Sequence, residues 1–132
     1  MTTDNPALNL YKAHRFREAI EAYRQQLRDG GPYDEWVNLD GLAHALMASG
    51  EYAQAIPPME KMDDHNSSSH PGALGRQVEL SICHWMIGER AQALDIIKGL
   101  VTAVRKQKIY YTDFSGGVPY GLILCYMAAI WL

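Results

Sequence analysis

The chain is short of cysteine and of any one-sided charge, and each shortage excludes something. Two cysteines in 132 residues, Cys83 and Cys125, build neither a disulfide framework nor a zinc quartet. Both lie in apolar stretches, where an unbonded cysteine behaves as a small hydrophobe. Twelve basic residues against fifteen acidic ones leave a formal charge of -3. That balance lacks the basic stripe expected of a nucleic-acid binder. The most apolar stretch, 119–132, falls short of the ~20 residues that span a bilayer. Met1-Thr2-Thr3-Asp4-Asn5 does not begin a secretion signal. A reducing, cytoplasmic setting is therefore expected, with no nucleic acid and no membrane among the partners.

What is present is apolar and helical in spacing. Hydrophobic residues make up 48% of the chain and charged residues 20%, enough to bury a core. Phe16, Ala19, Ile20, Tyr23 and Leu27 recur at steps of three and four, so they share one helix face. Tyr52, Ala55, Ile56, Met59 and Met62 repeat that spacing, and Ala93, Leu94, Ile97, Leu100 and Val104 repeat it again. Arg90 stands in the third stretch where the others carry an aromatic. Ala19, Ala55 and Ala93 put a small residue at matching places, where a neighbouring helix can approach closely.

A break precedes each of the later two stretches. Ser49-Gly50-Glu51-Tyr52 and Ile87-Gly88-Glu89-Arg90 place glycine where a helix ends in a left-handed cap. Upstream, Trp36, Leu39, Leu42, Ala43 and Leu46 form a stripe opened by Asp34, a residue type that caps helix N-termini. Residues 73–87 form another stripe, entered through His70-Pro71-Gly72. A short leading helix with Asn5 as cap and Pro6 in its first turn opens the chain. Pro57 and Pro58 are expected near the first turn of their helix, where lost backbone donors cost least. Hairpins are thus expected over about 6–29, 34–64 and 71–107, with loops at Asp29-Gly30-Gly31-Pro32 and from Asp63 to His70. A final apolar helix is expected over about 119–132, giving six to seven helices in one domain, 1–132.

The run Trp36, Leu39, Leu42-Ala43, Leu46, Gly50-Glu51-Tyr52, Ala55-Ile56, Met59 and Met62 resembles a tetratricopeptide repeat. The resemblance extends over about residues 7 to 104. It departs from the pattern in the shortened first hairpin and at Gln77 and His84, where bulky apolar residues are usual. It implies an all-α, right-handed superhelix of antiparallel helical hairpins and a non-catalytic module that binds another protein in its concave groove. The groove positions would be Tyr11, Val37, Asp40, His44, Met47, Val78, Ile82, Trp85 and Met86, with Leu8 beside Tyr11. Members that grip C-terminal carboxylates use a clamp of Lys and Asn. Here those places hold Leu8, His44, Gly75 and Glu79, so the clamp is absent and the groove reads as apolar with an acidic spot.

Catalytic and metal chemistry find little support in the sequence. His65 and His70 with Asp63 and Asp64 sit in a Ser-rich loop that cannot fix ligand distances. His14, His44 and His84 lack a partner nucleophile or acid at a spacing that builds a triad. Asp40 and His44, four apart on one helix face, are the best enzyme candidates, yet no reacting partner is legible beside them. Ser115-Gly116-Gly117-Val118-Pro119 lacks the Lys and Ser/Thr of a phosphate loop and reads as a turn. No enzyme, cofactor or metal is expected. A toxin-neutralising immunity protein or a chaperone would be a narrower form of the binding reading. A homodimer through the apolar C-terminal helix, or a piece of a larger repeat protein, is the alternative.

Overall fold

The computed structural model describes residues 5–65 and 71–107, and side chains over 5–62, 75–100 and at 102. Among the described residues there are six α-helices and no strand. They are α1 (Pro6–Lys12), α2 (Phe16–Asp29), α3 (Glu35–Ala48), α4 (Tyr52–His65), α5 (Pro71–Met86) and α6 (Arg90–Gln107). The chain divides into two compact units, Met1–Met62 and Asp63–Leu132. The expected helix over 119–132, a dimer through it, Cys125 and the turn at 115–119 lie outside the described residues.

The helix starts follow from local chemistry. The Leu8 N–H donates to the Asn5 side chain at 3.3 Å, and Pro6 takes the first helical position, where no N–H is needed. Asp34 opens α3 in the same way, accepting from the Trp36 N–H at 2.9 Å. Pro71 is itself the first residue of α5, which thus begins earlier than the apolar stripe suggested.

Three corners, α1–α2, α3–α4 and α5–α6, repeat one construction. The N–H groups of His14, Gly50 and Gly88 donate to the carbonyls of Tyr11, Met47 and Trp85 at 2.9, 3.0 and 3.1 Å. Those of Arg15, Glu51 and Glu89 reach back to Leu10, Leu46 and His84 at 2.9, 2.9 and 2.8 Å. This is a Schellman-type helix end, which needs one left-handed residue. Gly50 and Gly88 supply it at φ 79° and 89°. In the first corner His14 holds the same place at φ 62°, so this corner forms without the glycine that marks the other two. Just beyond each corner, Ala19, Ala55 and Ala93 are completely buried. These alanines, 36 and 38 residues apart, therefore hold equivalent sites.

Within the first unit, α2 packs on both α1 and α3. Ile20 and Tyr23 of α2 are buried, as are Leu39, Leu42, Ala43 and Leu46 of α3. Gly41 of α3 lies directly under the Tyr23 ring, and a methyl group there would overlap the ring. A polar link crosses the same helices. Gln26 of α2 donates to the buried Asn38 of α3 at 2.7 Å and accepts from the Ala7 N–H of α1 at 3.4 Å. One side chain thus satisfies a buried amide and a helix-start donor together. On the surface, Arg24 reaches Gln54 and Lys61 reaches Glu35 at 2.8 Å, fastening α4 to α2 and α3. Exposed ion pairs of this kind contribute about 0–1 kcal/mol.

Two expectations about α4 need correction. Pro57 and Pro58 sit in its second turn rather than near its first, and the helix runs through them. Each removes a backbone bond, but Ala55, Ile56, Met59 and Met62 bury their side chains around the pair. The helix also continues to His65, so Asp63, Asp64 and His65 belong to it rather than to the following loop. Burial of Met59 and Met62 anchors those last turns.

In the second unit α5 packs on α6, with Leu80, Cys83, Ile97 and Leu100 buried. Burial pushes the Cys83 thiol up to about 12, with the Glu79 carboxylate adding to the effect. The thiolate that reacts with disulfides and alkylating agents is then scarce. In a Cys125→Ser variant, an aromatic disulfide reagent at pH 8 is expected to leave the native chain unlabelled. Unfolding should release one reactive thiol, whereas rapid labelling of the native chain would contradict this placement.

Candidate binding face

The groove residues expected from the sequence fall in both units, and each unit's set has its own character. In the first unit, Leu8 and Tyr11 lie three apart on α1 and face the same way. Val37, Asp40, His44 and Met47 form a stripe along α3 by the same rule. Val37 is 45% exposed and Leu8 is also exposed, while Tyr11, Asp40, His44 and Met47 are half-buried.

The structure brings two of the named residues, Tyr11 and Asp40, close to one that was not named, and pairs Asp40 with His44. Tyr23 is 2% exposed, and its hydroxyl lies within the electrostatic reach of Asp40 and Tyr11. His44 Nδ1 is 2.8 Å from the Asp40 backbone carbonyl and 3.4 Å from the Asp40 carboxylate. Because a carbonyl only accepts, Nδ1 carries the hydrogen and donates. Asp40 and His44 therefore do meet, as the i, i+4 spacing required. The Tyr11 ring is braced edge-on by Phe16 at 5.5 Å, which fixes it across the α1–α2 corner.

Tyr23 appeared in the sequence only as part of a buried stripe. Gly41 was the available signal, since a glycine inside a helix marks a close approach. Burial raises the Tyr23 phenol above its ordinary value, and the Asp40 charge and then Tyr11 raise it further. The folded state thus favours neutral Tyr23. The corresponding stability is full below pH about 10 and is lost as pH rises through the higher folded value. Denaturation between pH 9 and 12 should show a steeper alkaline loss in the wild type than in Tyr23→Phe. Parallel curves would exclude a buried, ionisable phenol at this place.

The second unit departs from expectation at Val78. Its exposure is 1%, which places it in the core, so it cannot serve as a contact for a partner in this conformation. The groove assignment used repeat position alone, and position did not reveal that this site is covered. Ile82 and Trp85 are half-buried, and Met86 is 54% exposed. Arg90 lays its guanidinium over the Trp85 ring at 4.6 Å. Trp85 and Arg90 occupy the positions that Tyr11 and Phe16 hold in the first corner. The missing aromatic at position 90 is thus replaced by a cation on an aromatic face. His84, at the place of Leu10 and Leu46, is buried with Nδ1 2.9 Å from the Glu89 carboxylate.

Among the described residues, no group of three or more His, Cys, Asp or Glu side chains is placed to hold a metal ion. No described helix is long and apolar enough to cross a membrane. No family model, curated protein or solved structure matches the chain, so the reading of this face rests on its own residues.

Proposed function

We propose that the chain is a non-catalytic binding module of tetratricopeptide-like hairpins, and that it holds a segment of another protein. The observation that carries this reading is the face of the first unit. Leu8 and Val37 leave apolar surface in solvent beside the polar group of Tyr11, Asp40 and His44. Exposed apolar surface rimmed by polar groups is characteristic of interaction sites. The threefold repetition of the same hydrogen-bonded corner supports the repeat reading, because modules of this type present residues of their leading helices to partners.

The test is co-purification from extracts of the source cells, using the full chain and its Val37→Lys and Asp40→Lys variants. Circular dichroism would verify that each variant keeps its helices. Both substitutions are expected to reduce recovery of the same partner at least tenfold, identified by mass spectrometry. Equal recovery with wild type and both variants would overturn the assignment of this face.

A further inference from the structure

We draw no further inference here: the strongest candidate, the exposed apolar patch of Met86 and Ile87 at the α5–α6 corner where Arg90 lies over Trp85, carries nothing because nothing in the structure shows what covers it.

Discussion

Replacing Gly41 by alanine is expected to destabilise the chain by about 2 kcal/mol, although alanine is the better helix former. The helix-propensity gain is ~1 kcal/mol. Against it stands overpacking, which costs up to about 3 kcal/mol when a methyl is forced into a filled core. The new methyl would overlap the outer atoms of the Tyr23 ring. A side-chain end can move aside cheaply when it is exposed, but Tyr23 is buried and would lose its cover by moving. The contact predicts a change of sign. In a Tyr23→Leu background, Gly41→Ala should become neutral or stabilising by up to ~1 kcal/mol. Chemical denaturation of the four proteins in this cycle measures the coupling directly. Additive effects would mean that the ring does not rest on Gly41.

Gln26→Leu is expected to be more costly than its half-buried position suggests, at about 2–3 kcal/mol. The substitution removes the donor to Asn38 Oδ1 and the acceptor for the Ala7 N–H. Asn38 is 1% exposed, so water cannot replace the lost bond. A buried polar group left without its partner costs about 1–3 kcal/mol. The penalty should fall substantially when Asn38→Leu is added, because an apolar pair leaves no amide stranded. Urea denaturation of the single and double variants distinguishes this from a simple volume effect. A double variant no more stable than Gln26→Leu alone would show that the link is not the source of the loss.

Much of the local architecture was legible because it depends on neighbours in sequence. Asn5 with Pro6, and Asp34, announce helix starts through bonds to residues two or three further on. Gly50 and Gly88 announce helix ends because they are suited to positive φ. His14 does the same work without the usual mark, since histidine enters the left-handed region far less often than glycine. Long-range pairings were less legible. Nothing in the spacing of α2 indicates that Tyr23 would settle over Gly41, or that Gln26 would join Ala7 to Asn38. Both pairings depend on the packing of different helices. Arg90 was visible as a departure from the aromatic pattern, but its role required Trp85 beneath it. Val78 shows the opposite error, because repeat position implied accessibility while its surroundings bury it. Of the candidate face, the Asp40 and His44 pairing was readable from i, i+4 spacing, and the convergence of Tyr11 and Tyr23 on Asp40 was not.

The central claim is that the face formed by α1 and α3 of the first unit touches a partner. Site-specific photocrosslinking in the source cells tests it most directly. A benzophenone amino acid placed at Val37 is compared with the same group at Lys98, an exposed position on α6. A discrete adduct of one size from position 37, absent from position 98 and lost on adding Asp40→Lys, is the predicted result. No adduct from position 37, or the same products from both positions, would contradict it.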